Sequence, residues 1–202
     1  MHRLIDILAS GIHDTKNQLF SAESLIAENE KTHNIDLSEV RYAIEAAANR
    51  LSRTLSAYQL MQADAQLAMT PTIIPDLCEE IVLAQNKHLE KKGIRLSINC
   101  QAFDPWPLDR DLVTDMLNNA VQNASEVAHS EILFSATIEN DELIFRIEDD
   151  GPGFSSLPQT SGTGLKVAAK LAELHVRKQR QGSLKLSNDG ILGGARFELR
   201  LP

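Results

Sequence analysis

The sequence predicts an α+β protein: an antiparallel helical hairpin followed by an α/β sandwich with a mixed, mostly antiparallel sheet. Two long helical apolar patterns occupy the N-terminal third of the chain. From Pro71 onward, short alternating strands are interleaved with amphipathic helices. The composition, with 43% hydrophobic and 24% charged residues, is ordinary for a soluble globular protein. Because only 4% of residues are aromatic, we expect a mostly aliphatic core.

Apolar residues at spacings of three and four predict two long helices. The first pattern contains Leu4, Leu8, Ile12, Thr15, Leu19, Ala22 and Ile26. After the segment KTHNI, the second contains Leu37, Val40, Ile44, Ala47, Leu51, Thr54, Tyr58, Met61 and Ala65. Asp36 and Glu39 predict a capping box at the start of the second helix. The near-heptad spacing favours a four-helix bundle made by two copies, and packing on the rest of the same chain is the alternative.

The second region is predicted to contain three helices and six strands. TPTIIP predicts an edge strand, and Asp76 to Lys92 a helix with Asp76 and Glu79 as its capping box and Gly93 as its end. A strand over IRLSIN and a helix over 109–127 follow. EILFSATIE and DELIFRIED predict a hairpin, residues 163–175 a helix, and GSLKLSN with ARFELRLP a closing hairpin. We therefore expect domains at 1–68 and 70–202.

Charge, cysteine content and hydropathy exclude several classes of protein. The net charge of −8 argues against a nucleic-acid-binding surface. Cys78 and Cys100 are isolated in the sequence, which predicts a reducing compartment and no structural zinc. No apolar run approaches the roughly 18 residues that a membrane span requires. We expect a cytoplasmic protein with no direct membrane span.

The segment IEDDGPGF places two aspartates and two glycines at the end of an apolar strand. Gly151 and Gly153 let the chain turn tightly and let a ligand approach the backbone. Asp149 is able to accept a hydrogen bond from an amino group on a ring. A plain turn after a strand would use the same residues, so this motif alone does not decide between the two.

Two further motifs are typical of phosphate and metal binding. GTGLKVAAKLAELH begins with glycines before a helix, whose free N–H groups favour phosphate. In DMLNNAVQNASEVA, Asn119 and Asn123 are four residues apart and share a helix face. An amide oxygen is a suitable ligand for Mg²⁺. A glycine loop that caps a helix and two solvated amides are the structural alternatives.

Together, and with GGARFELRLP at the C-terminus, these three motifs resemble the ATP-binding domain of sensor histidine kinases. This family belongs to the wider group that includes the gyrase, Hsp90 and MutL ATPases. The resemblance covers residues 71–202 by motif. It extends to residues 1–70 because HDTKN, on the first helix of a hairpin, is similar to the family's phosphoacceptor and dimerisation box.

The resemblance implies roles for individual positions with ATP and Mg²⁺. Asn123 would coordinate Mg²⁺, and Asn119 is its helical neighbour toward the nucleotide. Asp149 would accept from the adenine amino group beside Gly151 and Gly153. The second glycine motif near the phosphates comprises Gly162, Thr163, Gly164, Leu165 and Lys166. Hydrolytic members of the group carry a glutamate in place of Asn119, and an amide cannot act as a general base for water.

His13 is the predicted phosphoacceptor. Neutral imidazole is available as a nucleophile near pH 7, and Asp14 could hold its Nδ1 proton. Asn17 lies one turn further on the same face. Without the nucleotide motifs, His13 would be interpreted as a solvated helix residue. His2, His33, His88, His129 and His175 are assigned no role.

The match departs from the family at three points. The segment between the glycine motifs has only eight residues, 154–161, which predicts weak ATP affinity and fast exchange. Glu126 occupies a position that is often lysine in the family. Lys166 replaces a common third glycine, and it could supply the missing positive charge.

The sequence therefore predicts a two-component histidine kinase that phosphorylates His13 and passes the phosphoryl group to an aspartate of a response regulator receiver domain. We expect a homodimer formed through the hairpin, with input from a separate sensor protein or from a longer chain. A non-enzymatic histidine phosphotransfer or scaffold protein with a vestigial nucleotide domain is the alternative. An ATP-hydrolysing switch of the gyrase type is a second one, against which Asn119 argues.

Overall fold

A computed structural model of the chain describes residues 2–60, 67–155 and 163–202. Side chains are described except at positions 2–10, 12, 13, 16, 49, 50, 52–60, 163 and 164. The chain divides into two compact units, residues 1–65 and 66–202. Within the described ranges, no helix is long and apolar enough to cross a membrane.

The first unit is a pair of helices, α1 (His2–His33) and α2 (Ser38–Leu60). Helix α1 ends just before Asn34, whose φ of 51° lies in the left-handed region that asparagine tolerates. The Oδ1 atom of Asp36 accepts a hydrogen bond from the backbone N–H of Ser38 at 3.0 Å, which supports the start of α2. The Arg41 guanidinium contacts both Glu23 and Glu30 of α1, at 2.6 and 3.2 Å. These contacts hold the start of α2 against the last turns of α1.

The second unit is built on a mixed sheet of five strands: β2 (Arg95–Cys100), β4 (Glu131–Glu139), β5 (Glu142–Asp149), β8 (Ser183–Ser187) and β9 (Arg196–Leu201). Their order across the sheet is β2-β4-β5-β9-β8. Strand β2 is parallel to β4, and the other three pairings are antiparallel. This confirms the predicted α+β class and the mostly antiparallel sheet.

Three helices accompany this sheet: α3 (Ile74–Lys91), α4 (Arg110–Ser125) and α5 (Thr163–Leu174). Their buried residues recur at helical spacing, as in the α4 set Leu112, Val113, Met116, Leu117, Ala120, Val121 and Ala124. The aliphatic core includes one stacked aromatic pair, Phe134 and Phe145, with ring centroids 6.1 Å apart. The expectation of a mostly aliphatic core is met in the described residues.

The capping box predicted at Asp76 and Glu79 is wrong. Helix α3 begins two residues earlier than expected, at Ile74, and its N-cap residue Ile73 makes no side-chain capping bond. Pro75 occupies the first turn, where its missing N–H costs nothing because that N–H has no helical partner. The proline, and not a capping side chain, therefore sets this helix start.

Two small sheets include strands that the sequence patterns did not predict. Strand β1 (Met69–Thr72) pairs with β3 (Trp106–Asp109), and β6 (Val176–Arg177) pairs with β7 (Arg180–Gln181). Strand β3 contains a proline, and β6 and β7 have only two residues each. None of the three therefore shows a clear alternation of apolar and polar residues. The turn between β6 and β7 places Lys178 and Gln179 at positive φ.

Candidate nucleotide site

Asp149 ends β5 with a buried carboxylate whose orientation is fixed. Asp149 is only 3% exposed to solvent. Its Oδ1 atom accepts from the backbone N–H of Gly151 at 2.9 Å and from that of Ala195 at 3.2 Å. The backbone N–H of Asp149 donates to the carbonyl of Ala195 at 3.1 Å. A buried carboxylate held in this way is an acceptor with a defined direction, and a plain surface turn does not require one.

Glycines let three backbone segments meet around this carboxylate. A Cβ on Gly151 would lie 2.5 Å from the carbonyl oxygen of Val127, just after α4. A Cβ on Gly194 would lie 2.4 Å from Asp149 Oδ1. No side chain fits at either position without displacing neighbouring groups. The predicted importance of Gly151 therefore has a steric basis, and Gly194, within the quoted GGARFELRLP, belongs to the same cluster.

Asn188 holds the chain that follows the first glycine motif, and sequence reasoning missed it. Gly153 has a φ of 74°, and a Cβ there would lie 2.8 Å from Asn188 Oδ1. The same Oδ1 accepts from the Phe154 N–H at 2.7 Å, and Asn188 Nδ2 donates to the Phe154 carbonyl at 2.9 Å. A single asparagine in the loop between two strands carries no sequence pattern that would have revealed this role.

Asp150 has a different task from its neighbour Asp149. Its carboxylate accepts from the backbone N–H of His129 at 2.8 Å and from the Ser130 hydroxyl at 2.7 Å. Hydrogen bonds from Ser130, Glu131 and His129 hold the pKa of Asp150 well below its usual range. Asp150 thus fastens the connection between α4 and β4 to the end of β5.

Helix α4 carries the two amides of the predicted metal and nucleotide site, Asn119 and Asn123, and its C-terminal end lies beside the turn at Gly151. Asp109 caps its N-terminus through a 3.2 Å bond from the Leu112 N–H. Asn119 is half-buried and Asn123 is exposed, as expected for residues on the edge of the helix that faces away from the core. Because Val127 lies against Gly151, the last turn of α4 and the Asp149 segment are neighbours.

The second glycine motif is described only in part. Gly162 and most of the segment that precedes it lie outside the described residues. Thr163 and Gly164 form the first turn of α5, and their side-chain surroundings are likewise outside the description. Leu165 is half-buried, and Lys166 is exposed near the start of the helix. The predicted roles of these five residues remain predictions.

The segment predicted to contain the phosphoacceptor, HDTKN, lies in the other unit. Asp14 and Asn17 are exposed on α1. The backbone of His13 is helical, and its side chain is outside the described set. The assignment of His13 as acceptor therefore rests on the sequence.

Comparison with known proteins agrees with this geometry. Residues 108–202 match the family model for the histidine kinase-, DNA gyrase B- and HSP90-like ATPases. The chain is 29% identical to the sensor protein kinase CarS of Pseudomonas aeruginosa over 94% of this chain and 44% of that protein. It is 26% identical to the virulence sensor histidine kinase PhoQ of Salmonella typhimurium, over 62% of this chain and 28% of that one. The chain thus spans less than half the length of these curated relatives.

Solved structures of low sequence identity share the fold. The histidine kinase AdeS of Acinetobacter baumannii superposes with a TM-score of 0.65 at 16% identity, covering 92% of this chain and 95% of that one. Full-length ShkA in complex with AMPPNP gives 0.66 at 19% identity, covering 98% of this chain and 45% of that one. Residues 108–202, with the buried Asp149 cluster, thus match the histidine kinase-, DNA gyrase B- and HSP90-like ATPase family model, and these relatives support a chain that resembles the catalytic core of sensor histidine kinases.

Proposed function

We propose that the chain transfers the γ-phosphoryl group of Mg-ATP to His13 and then to an aspartate of a response regulator receiver domain. The observation that carries the proposal is the buried Asp149 carboxylate, enclosed by glycine backbone inside the family-matched region. The AMPPNP bound to the structural neighbour ShkA supports ATP as the nucleotide.

The adenine end of the nucleotide would bind at Asp149. Because two backbone N–H groups already hold Oδ1, the carboxylate is oriented before the ligand arrives. Burial reduces competition from water for the remaining acceptor sites. Gly151 and Gly194 leave the backbone bare beside it, and Asn188 fixes the adjoining turn through Phe154. A planar base with an exocyclic amino group is the ligand that this arrangement suits.

The phosphate end would bind between α4 and the start of α5. The α5 N-terminus offers backbone N–H groups, and Lys166 adds a cation near it. Asn123, with Asn119 beside it, offers the amide oxygen that Mg²⁺ accepts as a ligand, so the donor set fits the metal. A bound Mg²⁺ would neutralise phosphate charge during transfer.

The site favours a histidine over a water molecule as the acceptor of the phosphoryl group. The amide of Asn119 cannot take a proton from water, whereas neutral His13 is a nucleophile without prior deprotonation. Transfer forms a bond from His13 Nε2 to the γ-phosphorus and breaks the bond from that phosphorus to the bridging oxygen, releasing ADP. Asp14 would keep the Nδ1 proton in place, and Asn17 would orient phosphate or water from the next turn.

The deciding experiment measures incorporation of label from γ-labelled ATP with Mg²⁺. Wild type is compared with His13→Ala, Asn123→Ala and the matched control His33→Ala, which removes another histidine of α1. We expect acid-labile, base-stable label in wild type and His33→Ala. His13→Ala and Asn123→Ala should each lose at least about 100-fold of the signal, as for loss of a nucleophile or metal ligand.

Nucleotide binding by calorimetry separates this proposal from its rivals. Measurable ATP binding by His13→Ala together with loss of label supports His13 as the acceptor. Absence of both binding and label in wild type would favour a phosphotransfer or scaffold protein. Sustained phosphate release by His13→Ala would instead favour an ATP-hydrolysing switch.

A further inference from the structure

Glu148 is a buried carboxylate to which the proposed function assigns no role. It lies in β5 directly before Asp149 and is 3% exposed. Its Oε1 atom accepts from Arg196 Nε at 2.8 Å and from the backbone N–H of Ile191 at 2.9 Å. Arg196 is its partner in register on β9 and compensates its charge. The second bond, to a backbone N–H in a loop, therefore has a separate structural purpose.

The loop 188–195, between β8 and β9, is fastened to β5 at its middle and at its end. At the end, Asp149 Oδ1 accepts from the Ala195 N–H at 3.2 Å. In the middle, Ile191 is 71% exposed, so burial of its side chain does not hold the loop there. The bond from the Ile191 N–H to Glu148 attaches this part of the loop to the strand.

A tight turn passes this attachment on to Asp149. The Gly193 N–H donates to the Gly190 carbonyl at 3.0 Å, which makes Ile191 the second residue of a β-turn. Ala195 follows two residues after this turn. A displaced turn therefore also displaces the N–H that Ala195 donates to Asp149. The buried glutamate thus acts on its neighbour through the loop, since successive side chains of a strand point to opposite faces of the sheet.

We propose that Glu148 is a positioning residue that sets the preference of the nucleotide site for a 6-aminopurine over a 6-oxopurine. This inference rests on the proposed function, in which Asp149 accepts from the exocyclic amino group. A 6-oxopurine presents an acceptor at that place and a donor on the adjacent ring nitrogen. A carboxylate of fixed direction rejects such a base, whereas one that is free to turn accepts from the ring N–H instead.

Glu198 is a matched control for a purely structural effect. It lies in β9, is 6% exposed, and accepts from Arg146 Nε at 2.7 Å and from Arg200 Nε at 2.8 Å. Both arginines lie in strands of the same sheet and not in the loop 188–195. Replacement of Glu198 therefore removes a buried carboxylate and its ion pairs without releasing the loop.

The test measures the ratio of two Kd values by calorimetry, for Mg-ATP and for Mg-ITP, which carries a 6-oxopurine. Wild type should bind ATP at least about tenfold more tightly than ITP. In Glu148→Ala this preference should fall at least about fivefold, because the loop no longer holds Asp149 in one direction. Glu148→Gln keeps an oxygen acceptor for the Ile191 N–H and should keep most of the preference. Glu198→Ala should unfold at lower urea but keep the wild-type ratio.

A second pair of variants tests the loop bond without touching the carboxylate. Ile191→Pro removes the N–H donor, and proline suits the second position of a β-turn, so the turn should survive. Ile191→Ala keeps the N–H and removes a side chain that is already exposed. The preference for ATP should fall in Ile191→Pro and stay in Ile191→Ala. This pair decides the matter if Glu148→Ala fails to fold.

The outcomes separate this inference from the proposed function. A folded wild type that binds neither nucleotide would overturn both. ATP binding with an unchanged ratio in Glu148→Ala and Ile191→Pro would overturn the positioning role alone. Equal affinity of wild type for ATP and ITP would do the same. An equal fall of the ratio in Glu198→Ala would trace the effect to lost stability and would also overturn the role of Glu148.

Discussion

Gly194 shows how one backbone position controls the Asp149 carboxylate. Its backbone N–H donates to the Asp149 carbonyl at 3.0 Å, and a Cβ at this position would lie 2.4 Å from Asp149 Oδ1. Gly194→Ala must therefore displace the carboxylate or the loop. We expect ATP affinity to fall about tenfold or more, with a loss of about 1–3 kcal/mol in the free energy of unfolding from overpacking.

The measurement is calorimetric ATP titration with urea unfolding in parallel. Gly190→Ala is the matched control in the same loop, where the nearest contacts of a Cβ would be 3.3 Å away and a small shift relieves them. The control should bind ATP within a few-fold of wild type. Unchanged affinity in Gly194→Ala would mean that the Asp149 cluster does not bind the nucleotide.

The structural roles of residues that belong to a sequence motif could be predicted from the sequence, whereas those of isolated residues could not. Asp149 and Gly151 follow an apolar strand in a dense motif, so their placement together was expected and is observed. Asn188 and its partner Phe154 lie in chain segments that are distant in sequence. Without an approximate fold, nothing in the sequence around them indicates their partners. The roles of His13 and Asn123 remain predictions from resemblance.

His175 joins the end of α5 to the start of α4, a role that sequence analysis did not assign. It is 1% exposed; its Nε2 accepts from the Asp109 N–H at 3.2 Å, and its Nδ1 lies 3.1 Å from the Leu171 carbonyl. One ring nitrogen must accept and the other donate, so the neutral imidazole satisfies both bonds. Desolvation lowers the pKa of His175. The connection between these helices therefore requires an uncharged ring.

This pKa shift predicts a pH dependence of stability with a definite sign. Below about pH 6.5 the unfolded chain takes up a proton at His175 that the folded chain resists. The free energy of unfolding should fall as pH drops from 7.5 to 5.5, by up to about 1.4 kcal/mol per pH unit from this group. His175→Gln keeps an acceptor for the Asp109 N–H but cannot titrate, so the slope should flatten.

Urea unfolding at three pH values measures the slope for wild type, His175→Gln and His129→Gln. His129 is exposed, so its replacement should leave the wild-type slope in place. Equal slopes for wild type and His175→Gln would show that the buried ring does not cause the pH dependence.

Elements with strong periodicity were predicted well, and elements set by tertiary pairing were not. Strands β4 and β5 follow their alternation, and Asn140 and Asp141 form the expected turn at positive φ. Strand β3 exists because it pairs with β1, and the sequence WPLD does not predict a strand by itself. The start of α3 was misassigned because Asp76 and Glu79 match a capping pattern, while Pro75 acts earlier in the chain.

At the scale of the whole molecule, the helical unit leaves apolar surface uncovered. Along the predicted stripe of α2, Val40 is 45% exposed and Ala47 is also exposed, seven residues further on. Leu25 of α1 is 58% exposed. A two-helix hairpin cannot cover all its apolar faces, because each helix has a single partner. Pairing with a second copy would bury this surface, as the heptad-like spacing predicts.

We therefore expect the chain to sediment with the mass of two chains, and Val40→Glu to sediment as one. A carboxylate at position 40 would be desolvated in the dimer without a partner, which should weaken association at least about tenfold. Glu45→Gln alters an exposed residue on another face of α2 and should remain dimeric. A wild-type chain that sediments as a monomer at all concentrations would contradict pairing between copies and favour packing of the hairpin on its own chain.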